Sequence, residues 1–252
     1  MTGRATQPAL SAAERDRDLA AFAGVDVWIF DLDNTLYPRH TNVYQQVDVR
    51  IRDFVRQLLN VGAEEAQRVQ KDYYRRYGTT LRGLMEEHGI MPDDFLEYVH
   101  DIDHSPIQPD PRLAAAIARL PGRRFILTNG SRRHAEKVGE RLGFTDHFED
   151  IFDIVSAHMV PKPNREAYDL FIAQTGIEPS RAAMFEDLAR NLAVPSALGM
   201  RTVLVVPGGT REIFHEEWEL EGRDSVDVQF LTDDLGGFLE AVLAAHPAAG
   251  AP

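Results

Sequence analysis

Val25-Asp26-Val27-Trp28-Ile29-Phe30-Asp31-Leu32-Asp33-Asn34-Thr35 is the stretch on which the fold turns. Its first six residues are β-branched or aromatic at every position but one, which favours a strand, and the run then breaks into the carboxylate, amide and hydroxyl groups that end strands. Moving outward, short apolar runs recur at residues 124–127, 152–155, 182–185 and 202–206, and amphipathic segments at 113–120, 132–142 and 165–175 lie between most of them. Strands alternating with helices predict an α/β fold, a doubly wound parallel sheet forming a Rossmann-like core.

One interval breaks the rhythm. Between residues 37 and 109 no strand is legible, while Val43, Val47, Ile51, Val55 and Leu58 repeat at helical spacing, followed by Leu81, Leu84 and Met85 and then by Phe95, Leu96 and Val99. This predicts an α-helical insert over residues 38–109. Its exit, Ser105-Pro106-Ile107-Gln108-Pro109-Asp110-Pro111, is too proline-rich to continue a helix and is expected to act as a hinge. The expected organisation is an N-terminal extension (1–22), a core (23–37 and 110–243), the insert (38–109) and a flexible tail (244–252).

The 252 residues are 44% hydrophobic with no Cys, so a large core is possible while disulfides and thiol chemistry are excluded. Forty acidic against 27 basic residues give a net charge of −13, which repels nucleic acid and anionic membrane surfaces. The N-terminal stretch lacks an uninterrupted apolar segment, so a soluble, cytoplasmic protein is expected. A small anionic substrate stays compatible with this charge if a metal ion and a few cations reverse the sign locally.

In open α/β sheets the ligand crevice lies at the carboxyl ends of the strands. There the sequence puts Asp31 and Asp33, then Thr128-Asn129-Gly130, then Lys162, then Glu186-Asp187. Carboxylates gathered without Cys or paired His suit a hard cation with oxygen ligands, and an incomplete protein shell suits Mg²⁺. Singly, each of these is compatible with a polar turn or a surface charge; their order and strand-end placement together point to a site.

In these positions the chain resembles the haloacid dehalogenase superfamily of phosphohydrolases. The match runs from Asp31-Leu32-Asp33-Asn34-Thr35 through Thr128 and Lys162 to Glu186-Asp187, with the insert where that family carries a mobile cap. It extends more narrowly to pyrimidine 5'-nucleotidases, through Leu36-Tyr37-Pro38, through Tyr77-Gly78-Thr79-Thr80-Leu81-Arg82-Gly83-Leu84 and through Tyr98-Val99-His100-Asp101-Ile102-Asp103. Glu186 and Leu188 depart from the common fourth motif. The resemblance implies Asp31 as nucleophile and Asp33, protonated beside ionised Asp31, as acid and base. It implies Mg²⁺ held by Asp31, the carbonyl of Asp33 and Asp187, with Glu186 and Asn191 behind them, and phosphate bound by Thr128, Asn129, Gly130 and Lys162, the last also holding Asp31 ionised. Tyr37, Tyr77, Thr79, Thr80 and His100 are expected to face the substrate from the cap. The implied reaction is hydrolysis of UMP or CMP. Alternatives are another small phosphate ester (sugar phosphate, phosphoglycolate, pyridoxal phosphate), 2-haloacid dehalogenation, which Asp33 disfavours because a halide needs no acid, and a non-catalytic binding domain.

Other conspicuous residues receive plainer readings: Trp28 as packing, Arg132, Arg133 and His134 as solvated helix charge, and Ile213, Phe214 and Trp218 as an unassigned cluster. His88, His100 and His104 lack metal-ligand spacing.

Overall fold

The computed structural model describes residues 19–208, 222 and 224–246; the stretch holding Ile213, Phe214 and Trp218, nearly all of the N-terminal extension and most of the tail lie outside them. Six parallel strands form one sheet: β1 Val27–Phe30, β2 Arg123–Leu127, β3 Asp150–Phe152, β4 Ala182–Glu186, β5 Arg201–Val205 and β6 Phe230–Thr232. Their order is β3-β2-β1-β4-β5-β6, so the chain reverses direction across the sheet at β1. This is the point where such sheets open a crevice.

Alternation along β1 shows why the sheet is buried on both faces. Trp28 and Phe30 join Ile117, Val138, Phe185 and Leu239 on one side, while Val27 and Ile29 join Phe125, Tyr168, Phe171 and Leu192 on the other. Burying each such side chain stabilises the fold by about 1.5–3 kcal/mol, whereas an exposed pair such as Arg165–Asp169 contributes less than about 1. Stability therefore resides in the two apolar layers. Trp28 is packing, as expected: its indole N–H donates to Pro121 O at 2.8 Å and its ring stacks on Phe22.

Two strands differ from the sequence reading. The third ends at Phe152, because the Asp153 carboxylate accepts from the backbone N–H groups of Ser156 and Arg132, each at 2.9 Å, and turns the chain out of the sheet. Ile154 then packs against the insert. The sixth strand is three residues on the sheet edge, too short to stand out as a periodic run.

Between β1 and β2 the chain makes four helices before rejoining the core: α1 Val43–Leu59, α2 Ala63–Tyr77, α3 Thr80–His88 and α4 Pro92–Val99. Their apolar positions converge in a separate cluster that includes Val47, Val55, Leu81, Leu84, Phe95 and Val99. Gly83 lets α2 and α3 close up, since a Cβ there would lie 2.5 Å from the Tyr73 ring. The core helices are α5 Pro111–Arg119, α6 Arg132–Leu142, α7 Arg165–Thr175, α8 Ala193–Ala197 and α9 Leu235–Ala245. Among the described residues no helix is long and apolar enough to cross a membrane.

Candidate active site

Strand register assembles the site. Phe30 is level with Ile126 on one side and Phe185 on the other, so the next residue of each strand, Asp31, Leu127 and Glu186, falls in one row at the carboxyl edge. The Asp31 N–H donates to Phe185 O at 2.9 Å and carries the ladder one residue further. Lys162 arrives from the loop after β3 and commits all three ammonium protons to this row: Asp31 Oδ1 at 2.7 Å, Glu186 Oε1 at 2.7 Å and Leu127 O at 2.8 Å. It is 2% exposed. Burial would strip such a cation of its proton, but the two carboxylates outweigh it and hold the ammonium well above its ordinary range. The loop itself is clamped by Asn129, whose carboxamide accepts from Lys162 N at 2.8 Å and donates to Lys162 O at 3.1 Å. Lys162 thus grips Asp31, and Asn129 fastens the lysine. Thr128 is buried with its hydroxyl accepting from Gly130 N at 2.9 Å, which fixes the turn after β2.

Asp31, Glu186 and Asp187 each offer a carboxylate oxygen, all within 4.8 Å of one another. Glu186 is committed elsewhere, accepting from Asn191 Nδ2 at 2.6 Å and from Leu188 N at 2.8 Å as well as from Lys162. Asp187 accepts from Arg39 at 3.1 Å and Asn34 at 3.4 Å. Burial, with Glu186 and Asp31 beside it, pushes Asp187 well above the usual carboxylate range, and burial and Glu186 push Asp31 up to about 7 against the pull of Lys162. Crowded oxygen anions with too little positive charge are what a hard dication relieves, so the donor set fits Mg²⁺ held by Asp31 and Asp187, with Glu186 and Asn191 supporting them.

Asp33 has an environment that the sequence reading missed. Its Oδ1 accepts from the Tyr37 hydroxyl and lies 2.8 Å from His134 Nε2; His134 Nδ1 lies 3.0 Å from His104 Nε2, and His104 Nδ1 lies 3.1 Å from Ile102 O. His134 has no exposed surface, so its reading as solvated helix charge is corrected. The signal is present in the helical spacing, because 134, 135, 138, 139 and 142 share the buried face of α6, which Ser131 caps. Burial raises the Asp33 carboxyl, but His134 and Tyr37 outweigh it and hold the group below the usual range. The two carboxyls are thus shifted in opposite directions, Asp31 up and Asp33 down.

The five residues expected to face substrate from the cap divide. His100 reaches the site: its ring stacks on His134 with centroids 4.6 Å apart, and Nδ1 lies 3.0 Å from Ser131 Oγ. Tyr37 also reaches it, but as a buried donor to Asp33 and not as an open ring face. Thr80 is buried and donates to Gln70 O at 3.2 Å, and Thr79 caps α3 by accepting from Arg82 N at 3.2 Å; both serve the insert's own structure. The Tyr77 hydroxyl is bonded to Glu87 and Arg76, and its residue lines a cavity of about 570 Å³ with Arg76, Arg82, Pro161, Asn164 and Arg190 that none of the site carboxylates borders. In this structure these three are engaged within the insert, as a helix cap, a buried helix position and an ion-paired surface.

Known proteins resemble the chain at two levels. Phosphate metabolism protein 8 of Saccharomyces cerevisiae is 29% identical over 196 residues, which is 71% of this chain and 60% of that protein; the chain thus spans about 60% of the length of this curated relative. Among solved structures, L-2-haloacid dehalogenase of Xanthobacter autotrophicus with chloropropionic acid covalently bound has a TM-score of 0.54 at 19% identity, covering 89% of this chain and 100% of that one. A CbbY variant of Rhodobacter sphaeroides in complex with xylulose-1,5-bisphosphate has the same TM-score, 0.54, at 18% identity, covering 84% and 95%. These structures share the fold. Residues 25–199 match the model of the haloacid dehalogenase-like hydrolases, and the chain belongs to that family.

Proposed function

We propose that this hydrolase is a Mg²⁺-dependent phosphatase of small phosphomonoesters that works through an aspartyl-phosphate, with pyrimidine nucleoside 5'-monophosphates as preferred substrates. The observation that carries the reading is the pairing of two aspartates in unlike settings: Asp31 gripped by Lys162 at 2.7 Å, and Asp33 held by Tyr37 and His134. Two neighbouring carboxylates with different partners suit different roles, one as nucleophile and the other as acid and base. A haloacid dehalogenase needs the first and not the second, since a halide leaves unprotonated.

In this mechanism the Asp31 carboxylate attacks phosphorus and forms the acyl phosphate, while Asp33 gives a proton to the departing ester oxygen. Asp33 then takes a proton from the water that hydrolyses the intermediate. Lys162 draws Asp31 toward its ionised form and fixes its direction, and the backbone around Thr128, Asn129 and Gly130 binds phosphoryl oxygens. Mg²⁺, when bound by Asp31 and Asp187, supplies the positive charge that offsets the phosphoryl group and the crowded carboxylates. The preference for pyrimidines rests on the sequence resemblance alone, because Thr79, Thr80 and Tyr77 serve the insert.

The test is phosphate release from UMP, CMP, AMP, GMP, sugar phosphates, phosphoglycolate and pyridoxal phosphate, with Mg²⁺ and with EDTA, compared as kcat/KM. UMP and CMP are expected to lead and EDTA to silence the enzyme. A leading purine nucleotide or sugar phosphate removes the pyrimidine assignment, and metal-independent turnover removes the metal.

A further inference from the structure

We propose that the cavity between the insert and the core is a binding site for a linear polyphosphate, either the triphosphate of a nucleotide or a free inorganic chain, and that this ligand joins the two parts of the molecule. The site is separate from the strand-end row, and it binds its ligand whether or not the chain hydrolyses phosphate esters.

The lining opposes the charge of the whole chain. Overall 40 acidic residues outnumber 27 basic ones, yet this cavity of about 570 Å³ is lined by five arginines against Glu86 and Glu166. The insert supplies Arg75 and Arg76 from the last turn of α2 and Arg82 from α3. The core supplies Arg165, the first residue of α7, and Arg190, three residues beyond Asp187. A guanidinium fork matches two phosphate oxygens at once, so cations drawn from both parts suit a ligand with several phosphoryl groups. The volume is that of a site for a nucleotide-sized molecule and exceeds the needs of one orthophosphate. The arginines can exchange their present partners at small cost. Arg82 pairs with Glu86 at 2.6 Å, Arg76 with Asp72 at 3.1 Å and Glu87 at 2.8 Å, and Arg165 with Asp169 at 2.8 Å, and pairs this open to water contribute little. Arg190 is anchored, its guanidinium 4.3 Å from the centroid of the Tyr74 ring. The first turn of α7, which no side chain caps, adds partial positive charge to the same wall. Both core segments adjoin the strand-end row: Pro161 and Pro163 flank Lys162, and Arg190 follows Asp187. Gly78, at φ +84°, brings the turn between α2 and α3 against the lysine's loop, since a Cβ there would lie 3.0 Å from Pro161 Cγ. An anion that touches both walls binds only while the insert rests on these loops, so its binding favours that arrangement.

Calorimetric titration of the full chain with sodium tripolyphosphate, UTP and UMP tests it, in EDTA, where the crowded carboxylates of the row repel a polyanion and the arginine-lined cavity attracts one. One-to-one saturable binding of tripolyphosphate and UTP is expected, with UMP at least about 10-fold weaker. UTP binding more tightly than tripolyphosphate assigns the site to a nucleotide, and equal binding assigns it to the phosphate chain itself. The double variant Arg75→Gln, Arg82→Gln should raise both dissociation constants at least about 10-fold. Arg112→Gln, which changes an exposed arginine paired with Asp234 and Glu240 outside the cavity, should leave them within about twofold. In hydrogen exchange the bound anion should slow the amides of residues 75–86 and of residues 160–167 together. No saturable binding up to about 5 mM, UMP binding as tightly as UTP, or an equal loss in Arg112→Gln would overturn the site, and protection of one wall alone would overturn the joining of insert and core. None of these readouts depends on turnover, so a failed phosphate-release assay would strike the phosphatase reading and leave this site to be judged on binding.

Discussion

The strand-end row and the helical insert present polar residues in opposite ways. In the row, Asp31, Glu186 and Lys162 are buried charges that satisfy one another across segments 24 to 131 residues apart. In the insert, Thr79 and Thr80 stand in a motif as suggestive as any, yet one caps a helix and the other bonds the preceding helix. The threonines find all of these partners within the insert, whereas Asp31 and Glu186 keep local partners and still draw on Lys162 from a distant segment, since burial of a charge costs several kcal/mol unless partners or a ligand offset it.

The contrast can be broken most directly at Asp31. Asp31→Asn keeps the shape and most hydrogen bonds, so the circular dichroism spectrum is expected to be native while phosphate release falls by roughly 10⁴-fold or more. Substantial residual turnover would mean that the row is structural. Asp187→Ala is expected to act more narrowly, raising the Mg²⁺ concentration for half-maximal activity by about 10–100-fold, with calorimetric Mg²⁺ titration showing the same weakening. An unchanged metal requirement would move the ligand set elsewhere. The smallest effects belong to the insert: Thr80→Val should cost about 1 kcal/mol in thermal unfolding through the lost bond to Gln70, and both it and Tyr77→Phe should leave kcat/KM for UMP within about twofold. A larger activity loss without a stability loss would return these side chains to the substrate.

How much of this is legible in the sequence follows the same division. Parallel strands are buried on both faces, so Val27–Phe30 and Ala182–Glu186 stand out as apolar runs, and the polar residues that close them mark the carboxyl edge of the sheet. Where the sheet frays at its edges the signal fades: Ile154 looks like a strand residue but fills the insert's core, and Phe230–Thr232 is too brief to carry a period. His134 escapes notice because the arginines beside it, Arg132 and Arg133, make the segment read as charged, although the one-turn spacing to Val138 already turns it inward. The setting of Asp33 is not readable at all. It depends on Tyr37, His104 and His134 meeting in space from three separate segments.

That meeting of segments sets a rule for protein engineering. Residues 43–99 form a unit with its own apolar cluster, and exchanging them for another insert leaves Tyr37, Arg39 and His104 in the recipient. Exchanging the longer stretch 38–109 removes Arg39, His100 and His104 together, and with them a partner of Asp187 and the far end of the chain leading to Asp33. Chimeras designed to transplant substrate preference should therefore cut inside the two linkers and not at their outer ends. The boundary that is simplest to draw on the sequence is the one that would cost the recipient its chemistry.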